Sequence, residues 1–549
     1  MDIFFGIRRK TALQLRTVFA IAAYFVVFSA IAGRAQAPSA AAGHVAGDHG
    51  RILLILPLDN RSGQPNLEWI REAAADLLTS RFASAGFAPM TRADRMYALD
   101  HLGLPQAFQP SRASALKLAQ TLDADAIIVG SYSTQGTDIV AEAQVIDVPH
   151  LRIGEALSAR GAMSDMITVF DSLAWKLTRQ LDPTFSVAEA TFVAAGKNIR
   201  LDAFEQYIRG ITEPDQAERL RHLQQAVNLS PDYSNAWMAL GRQLYQGQVY
   251  DQSAQAFAKV DRNGSDGLEA AFYRGLSLLF SGNYAEAEKS FAIVAKALPL
   301  AEVVNNQAVA ISRQGRDGTA QFIQAAAEDP TNADYHFNLA VSLKRHGNST
   351  AALNELAQCL KLKPADSEAL ALQDAWKRPA ITQIVAGSDT APDPLERMVR
   401  TFDANAFRQA SQMLDEMDAA TMTGLSPRER AVKLTGLGDG YLNRGLLLEA
   451  ERLYHQAVAA DPQFPDAHVG LGRVRQRSGD LDGARQEAQT ALAAAPSAGA
   501  WVLAAELDLA ANRLDEAKSD AQNALKIEPA NTGAQAVLKQ IASRAAQVN

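Results

Sequence analysis

Prolines recur at nearly equal intervals near the end of the chain, at Pro462, Pro496 and Pro529. Each closes a stretch that contains two helix-length apolar patterns. Proline ends a helix because it has no N–H to donate and because its ring clashes with the preceding turn. A helical pair of this size cannot bury its apolar face alone, so the period predicts a stack of similar units.

The clearest unit, residues 431–464, resembles a tetratricopeptide repeat (TPR). Its small and large apolar residues lie at fixed offsets, which, counting Ala431 as position 1, are Leu437 at 7, Gly438 at 8, Tyr441 at 11, Ala450 at 20, Tyr454 at 24, Ala457 at 27 and Pro462 at 32. The small residues allow two antiparallel helices to touch, and the tyrosines fill the space beside that contact. The resemblance implies an α-solenoid built from helical hairpins.

Units in similar register recur on both sides of this one. We predict nine hairpins, with residues 201–377 forming TPR block 1 and residues 395–546 forming TPR block 2. Block 2 is expected to begin with a degenerate hairpin over 395–430 and to end with a capping helix over 532–546. Residues 378–394 are rich in proline, glycine and polar residues, which predicts a linker. The units of block 1 are expected to begin at Leu201, Ser234, Leu268, Glu302 and Ala333.

Before the repeats, residues 51–182 show strand patterns as well as helix patterns. Residues 51–58 (RILLILPL) form an apolar run of strand length, and residues 139–147 alternate apolar and polar side chains as a half-buried strand does. The full order β-α-β-α-α-β-β-β-α predicts a small α/β domain with a mixed sheet of four or five strands. We therefore expect an α+β protein overall, in which this domain precedes two all-α blocks.

The same segment resembles the amino-terminal domain of TolB and the related CsgG-like domains, which belong to the bacterial envelope. The likeness is carried by residues 56–63 (LPLDNRSG), residues 67–69 at a helix start, Arg92 after the second strand, and residues 124–132 (ADAIIVGSY). The chain departs from full TolB, which continues into a β-propeller, and from CsgG, which is a lipidated pore subunit. The resemblance therefore implies an envelope context, without a Tol-system role or pore formation.

Residues 1–37 have the order of a secretory signal. Arg8, Arg9 and Lys10 precede an uncharged apolar run over 17–33, in which Ala30-Ile31-Ala32 supplies a cleavage site. The run is short for a membrane span, and an uncleaved anchor is the alternative. We expect export to the periplasm or cell envelope, or anchoring in the inner membrane if the segment is retained. Residues 38–50, rich in Ala and Gly, are expected to form a linker.

Composition argues against several classes of function. The net charge of −8 and the sequence pI near 5.7 argue against a nucleic-acid binder, which usually shows a basic domain or stripe. Cys359 is the only cysteine, so an intramolecular disulfide is impossible. The nine histidines form no H-x-x-x-H pattern, and the sequence contains no C-x-x-C, no G-x-S-x-G and no phosphate-binding loop. We expect no metal, no cofactor and no catalytic residues, and therefore not an enzyme.

The TPR resemblance implies a groove lined by the first helix of each hairpin. Amide side chains would bond a peptide backbone there, cationic groups would meet acidic ones, and aromatic rings would hold apolar side chains, so a protein or peptide partner is expected. The candidate partner-binding residues are Asn235, Met238, Arg242, Tyr245, Phe272, Asn306, Arg313, Phe337, Lys344 and Arg345 in block 1, and Arg473 and Arg477 in block 2.

These patterns favour an exported bacterial adaptor that binds protein partners in the cell envelope. One alternative is a small-ligand sensor or an enzyme with its site in the α/β domain, where the Asp59–Gly63 loop follows a strand. Another is an envelope structural subunit that assembles with itself. Membrane contact is expected only through an uncleaved amino-terminal segment.

Overall fold

The structure is a computed structural model that describes residues 52–105, 112–194, 199–262, 266–378, 394–402, 421–422, 424–443 and 447–548. The expected signal or anchor over 1–37 and the expected linker over 38–50 lie outside these residues. The described chain divides into two compact units. One unit holds the residues from 231 to 402, and the other combines 52–230 with 421–548.

The α/β domain contains the predicted elements in the predicted order, together with two further short strands, β2 (Asp59–Asn60) and β6 (Arg152–Ile153), so its sheet has seven strands where four or five were expected. Its strands are β1 (Ile52–Ile55), β2 (Asp59–Asn60), β3 (Ala88–Pro89), β4 (Ala126–Gln135), β5 (Asp138–Asp147), β6 (Arg152–Ile153) and β7 (Leu157–Ala162). Its helices are α1 (Ile70–Ser84), α2 (Arg92–His101), α3 (Arg112–Thr121) and α4 (Met166–Leu181). Together with the helical repeats further along the chain, this domain confirms the expected α+β fold class.

The sheet is mixed, with parallel strands on one side and antiparallel strands on the other. β1 lies between β3 and β4 and is parallel to both, whereas β4 and β5 form a long antiparallel hairpin. β6 and β7 both pair with β5, and β2 pairs with β4. The apolar run of β1 exists because both faces of this strand are covered: Leu54 packs with Leu99 and Leu118 on one face, while Leu53 is equally buried on the other.

A short segment after α4 joins the α/β domain to the carboxyl-terminal repeats. Helix α5 (Glu189–Ala194) carries Phe192, which is fully buried beneath the Arg81 guanidinium at 4.3 Å. The Ala188 N–H donates to Glu451 Oε1 at 3.2 Å, and the Thr191 and Ser478 hydroxyls are 3.3 Å apart. These contacts bring together residues that are far apart in the sequence. They explain why 52–230 and 421–548 form one unit.

The hairpin expected at 201–232 belongs to this same unit and not to the first repeat block. It consists of α6 (Leu201–Thr212) and α7 (Gln216–Leu229). Phe204 meets Trp69 edge to face at 6.3 Å, and the Tyr207 hydroxyl donates to Asp76 Oδ1 at 3.2 Å. The hairpin thus packs against the start and the middle of α1, a long-range contact that its own apolar pattern does not reveal.

Residues from 231 onward form helical hairpins in both units. The first unit contains α8 (Ser234–Gln246), α9 (Tyr250–Phe257), α10 (Gly267–Phe280), α11 (Tyr284–Ala297), α12 (Ala301–Ser312), α13 (Thr319–Glu328), α14 (Ala333–Arg345), α15 (Ser349–Leu362) and α16 (Ser367–Lys377). The second unit contains α17 (Pro427–Asn443), α18 (Leu447–Ala460), α19 (Pro465–Ser478), α20 (Leu481–Ala494), α21 (Ala498–Ala510), α22 (Leu514–Ile527) and α23 (Thr532–Val548). The last of these includes the predicted capping helix. None of the helices within the described ranges is both long and apolar enough to cross a bilayer.

The repeat consensus positions are explained by a contact between a glycine and an aromatic ring. A Cβ placed on Gly438 would lie 2.7 Å from the Tyr454 ring, and one on Gly275 would lie 2.7 Å from the Phe291 ring. In each hairpin the glycine belongs to the first helix and the ring to the second, with the same separation along the sequence. Tyr454 also lies directly against Gly470 of the next hairpin, so one ring fixes two helix contacts.

The degenerate hairpin expected to begin at 395 is not found there. Residues 394–402 are extended, and the next described helix of repeat length, α17, begins at Pro427. The part of the expected hairpin over 403–420 lies outside the described residues. The backbone groups of Arg397 and Val399 bond to side chains of the first unit, and these bonds replace those that a helix would make.

Two glycines of α17 provide a matched test of this packing. Gly438→Ala places a methyl group against the Tyr454 ring and should destabilise the α17–α18 hairpin by about 1–3 kcal/mol. Gly436→Ala, where no atom lies within 4 Å, should stabilise it by about 0.5–1 kcal/mol because alanine favours the helix. Hydrogen exchange of the α17 and α18 amides measures both changes. Equal effects of the two substitutions would contradict the proposed packing role of Gly438.

Candidate functional site: the groove of the first unit

An extended segment of the chain lies against the first helices of the hairpins in the first unit. We call residues 394–402 (PLERMVRTF) the strap. The groove that holds it is defined here by Tyr273 on α10, Asn306 on α12, Asn338 on α14, and Arg313 and Arg345 at the ends of α12 and α14. The site therefore contains a peptide-like occupant supplied by the protein itself.

Asparagine side chains hold the backbone of the strap. The Arg397 N–H donates to Asn338 Oδ1 at 2.7 Å, and Asn338 Nδ2 donates back to the Arg397 carbonyl at 2.6 Å. Asn306 makes the same pair of bonds with Val399, at 2.9 and 2.7 Å. A carboxamide carries one acceptor and two donors, so it can bond both backbone groups of a residue as a neighbouring β-strand would. The alternation from Arg397 to Val399 is the two-residue period of an extended chain.

These asparagines are fully buried, which makes their bonds to the strap important for stability. A third asparagine, Asn305, donates to the Arg397 carbonyl at 3.0 Å and accepts a bond from Asn338 at 2.8 Å. A buried amide without a partner costs about 1–3 kcal/mol, because it has lost its water and gained nothing. The bonds to the strap therefore supply the partners that these buried amides need, and the groove is built to hold an extended backbone.

The carboxylate of Glu396 lies in a cationic part of the groove. Arg313 Nε is 3.6 Å from Glu396 Oε2, and both Arg345 and Ser312 donate hydrogen bonds to Oε1. The same arginines also bond the strap backbone: Arg313 donates to the Glu396 carbonyl at 3.2 Å, and Arg345 donates to the Pro394 carbonyl at 2.7 Å. A carboxylate that is almost fully buried is tolerated here because it is paired and hydrogen-bonded.

The next side chain, Arg397, meets a cluster of carboxylates. Its guanidinium donates to Asp366 at 2.6 and 2.9 Å, to Asp334 at 2.8 Å and to Glu368 at 2.9 Å. It also lies 3.6 Å from the centre of the Phe337 ring, a favourable cation–π distance. The hydrogen bonds from Arg397 lower the pKa of Asp366 to about 2, although burial acts in the opposite direction. This carboxylate is therefore ionised at neutral pH.

The carboxyl-terminal half of the strap is held by apolar contacts. Met398, Val399 and Phe402 pack against the main apolar cluster of the first unit. The Phe402 ring lies 5.4 Å from the Phe272 ring, and its N–H is 3.5 Å from the Tyr273 hydroxyl. By contrast, Leu395 is 66% exposed, and Thr401 is also exposed. The groove thus contacts the side chains of Met398, Val399 and Phe402 and leaves those of Leu395 and Thr401 exposed to solvent.

The structure brings some of the candidate residues of block 1 to the strap. Those that contact it are Phe272, Asn306, Arg313, Phe337 and Arg345.

The other candidates of block 1 make different contacts. Met238 is buried between helices with Phe257 and is therefore a core residue. Arg242 forms an ion pair with Glu269 at 2.6 Å, and Lys344 donates to Ser349 at 3.1 Å. Tyr245 lies in an aromatic group beside the strap, where burial raises its pKa to about 12, and Asn235 is partly buried at the start of α8.

In the second unit, Arg473 and Arg477 lie together in a polar pocket of about 400 Å³. The pocket is also lined by Asp439, Leu442, Asn443, Gln476 and Glu506. Arg477 donates to the Leu442 carbonyl at 2.6 Å, and Tyr454 donates to Asp439 at 2.7 Å. The pocket is thus polar and contains both signs of charge.

Sequence reasoning missed Asn305, Asn338 and Asp366, although a signal for Asn338 was present. If Ala301 is aligned with Ala333, Asn306 matches Asn338, and Arg313 matches Arg345 at the same spacing. The expected start of the fourth unit at Glu302 falls just after the start of α12, and that offset hid the correspondence. Asp366 was missed because it acts through Arg397, whose position in the groove no local pattern reveals.

The described residues give no indication of metal chemistry. No group of three or more His, Cys, Asp or Glu side chains among them is arranged to hold a metal ion. Cys359 is buried, and burial raises the pKa of its thiol to about 11.

The helical hairpins define this protein as a repeat protein, and comparison with known proteins gives the family. A family model described as a tetratricopeptide repeat matches residues 272–333 and 435–499. A TPR repeat-containing protein of Pseudomonas aeruginosa, PA0015, is 34% identical over 91 residues, which are 17% of this chain and 87% of that protein. The chain belongs to the tetratricopeptide repeat family.

Two solved TPR structures are similar to parts of the chain. The crystal structure of YrrB, described as a TPR protein with an unusual peptide-binding site, is 18% identical and covers 32% of this chain and 92% of its own, with a TM-score of 0.30. The first TPR of Spaghetti (RPAP3), bound to an HSP90 peptide, is 27% identical. The match covers 22% of this chain and 98% of that one, with a TM-score of 0.21.

The asparagine pairs can be tested by single substitutions. Asn306→Ala and Asn338→Ala should each weaken strap docking by about 1–3 kcal/mol, because buried backbone groups lose their partners. Hydrogen exchange over residues 394–402 should become faster in both variants. Asn235→Ala, which removes an asparagine outside the strap contacts, is the control and should leave this exchange unchanged. Unchanged exchange in the first two variants would contradict the asparagine-mediated docking.

The Arg397–Asp366 pair predicts how docking depends on pH. The docked state lowers the pKa of Asp366 from 3.8 to about 2, so the pair stabilises docking above about pH 4 and loses this contribution as the pH falls towards 2. The anisotropy of a fluorophore attached at Thr401→Cys should therefore stay constant from pH 8 to 5. It should fall below pH 4, because the strap leaves the groove. Cys359 should not react with the label, because it is buried.

The matched variant for this titration is Asp366→Asn. Asparagine can still cap α16 at the Ala369 N–H but cannot pair with Arg397 as an anion. In this variant the anisotropy should already be lower at pH 7 and should change less below pH 4. Identical pH profiles for the two proteins would show that another group controls docking.

Proposed function

We propose that this protein is an exported bacterial scaffold whose first repeat block binds an extended segment of a protein partner in the cell envelope. Members of the tetratricopeptide repeat family typically mediate protein–protein interactions, and they are generally binding scaffolds and not enzymes. The single observation that supports this site is the pair of buried asparagines that bonds the strap backbone at Arg397 and Val399. That arrangement recognises an extended chain of any origin.

The chemistry of the groove favours a peptide over a small ligand. Its buried polar groups are spread along a line from Tyr273 to Arg345, as the backbone bonds to Phe402 and Pro394 show. They alternate with apolar contacts, as extended peptides require. No catalytic constellation accompanies them among the described residues, so binding is the function that these residues support best.

The envelope location rests on the amino-terminal sequence and on the TolB and CsgG-like resemblance of residues 51–182. The order of residues 1–37 favours export, with cleavage in the periplasm or retention as an inner-membrane anchor. We propose that the α/β domain provides a second docking surface, held in one unit with the carboxyl-terminal repeats by α5.

In-cell photocrosslinking tests the proposed groove. A photoreactive residue at Tyr245, whose ring lies 6.1 Å from Phe280 beside the strap, should capture a partner. In a chain whose strap is weakened by Val399→Ser/Phe402→Ala, adding Asn306→Ala/Asn338→Ala should reduce this capture at least fivefold, because the partner backbone loses its bonds while the strap no longer competes for the same asparagines. A photoreactive residue at Ile293, which is exposed on the second helix α11, is the matched control. If the yield of crosslinks from Tyr245 did not change when both asparagines were replaced, the partner would bind outside the groove.

A further inference from the structure

The strap shows which side chains of a bound peptide the groove can recognise. Glu396 enters the arginine cluster, Arg397 enters the carboxylate cluster, and Phe402 meets Phe272. Met398 and Val399 contribute apolar surface between these ends. Leu395, Arg400 and Thr401 are exposed, and Arg400 has only a 5.3 Å contact with the Phe280 ring, so the groove imposes little on those positions. The pattern read is therefore Glu-Arg-apolar-apolar, two variable residues, and then an aromatic residue.

The charges of the groove also fix the direction of the peptide. Arg313 and Arg345 surround the position of Glu396, while Asp334, Asp366 and Glu368 surround the position of Arg397. A peptide with the two charges exchanged would bring a carboxylate to carboxylates and a guanidinium to guanidinium groups. Like charges in contact at a desolvated site strongly disfavour such a ligand.

We propose that the strap is a resident copy of the partner motif, and that a partner peptide with this Glu-Arg-apolar-apolar-x-x-aromatic chemistry must displace it to enter the groove. The inference rests on the proposed peptide-binding function and adds the sequence class of the partner. The strap and the incoming peptide compete for Asn306, Asn338 and the same two charge clusters. The site is thus closed to weak ligands and open to a segment that matches all of its contacts.

Competition from within the chain has a calculable effect. Helix α16 ends at Lys377 and the strap begins at Pro394, so only a short tether joins the strap to the helices that hold it. A short connection within one chain gives the resident segment an effective concentration of about millimolar, which favours it over a free peptide. If the strap is docked in all but about 1–10% of molecules, the apparent affinity for a partner peptide falls by about 10–100-fold.

The experiment uses the full chain and a fluorescent peptide of sequence PLERMVRTF, the sequence of residues 394–402. Two release variants weaken the strap in different ways: Glu396→Ala/Arg397→Ala removes its charges, and Val399→Ser/Phe402→Ala removes its apolar contacts. Both should bind the peptide at least tenfold more tightly than the unchanged chain does. Thr401→Ala, which alters an exposed strap residue, is the control and should bind as the unchanged chain does.

Specificity is tested with the charge-exchanged peptide PLREMVRTF. It should bind the release variants at least tenfold more weakly than the first peptide, because it places like charges together. Adding Asn306→Ala/Asn338→Ala to a release variant should reduce binding of the first peptide by a similar factor. In the unchanged chain labelled at Thr401→Cys, excess first peptide should lower the anisotropy as the strap leaves the groove. This last readout does not depend on how well a release variant folds.

The possible failures are distinguishable. If the release variants and the unchanged chain bind the peptide equally and the label does not respond, the strap is no competitor, and the inference is wrong while the groove function stands. If no variant binds the peptide but asparagine-dependent crosslinks from Tyr245 persist, the motif is wrong and the function stands. If neither binding nor such crosslinks occur, the inference and the proposed function both fail.

Discussion

The close contact between a glycine and an aromatic ring, repeated within hairpins, is the interaction on which the helical blocks depend. Gly275 and Phe291, like Gly438 and Tyr454, bring a first helix close to a second helix, and the ring fills the space that a larger side chain at the glycine would occupy. Because Tyr454 also lies against Gly470, the contact orients successive hairpins as well as the two helices of one hairpin. The first helices of the first unit are thereby placed side by side, and their polar residues can act on one ligand.

The groove shows how buried polar groups can serve recognition without becoming a stability problem. Asn306 and Asn338 would be costly inside a core, but each is satisfied by one residue of an extended chain. The charged side chains of Glu396 and Arg397 are also satisfied by partners, since each contacts a cluster of side chains of opposite charge. A groove with such groups requires an occupant. The strap supplies one, and a partner that replaces it must provide equivalent bonds.

The sequence predicts elements whose cause is local and misses those whose cause is distant. The apolar run of β1, the alternation of β5 and the helix-ending prolines each report burial or geometry within a short stretch of chain, so the α/β domain and the repeats follow from them. Asn306, Arg313 and Arg345 could be identified as groove residues because the TPR resemblance places them on first helices that line the groove. The extended state of 394–402 could not be identified, because these bonding partners lie far earlier in the chain. The contacts of α6 with Trp69 and with α1 could not be predicted for the same reason, because these residues lie far apart in the sequence.

The path of the chain has a consequence for synthesis. The described residues of the first unit all lie between 231 and 402, whereas the second unit takes residues from both sides of this range. Residues 231–402 are in this sense an insertion in the sequence of the second unit. The groove and its strap can form once Phe402 has emerged from the ribosome. The body that contains the α/β domain stays incomplete until Glu451 and Ser478 emerge to meet Ala188 and Thr191. Residues 231–402 can therefore mature first, with their groove already filled, while the second unit still exposes α5.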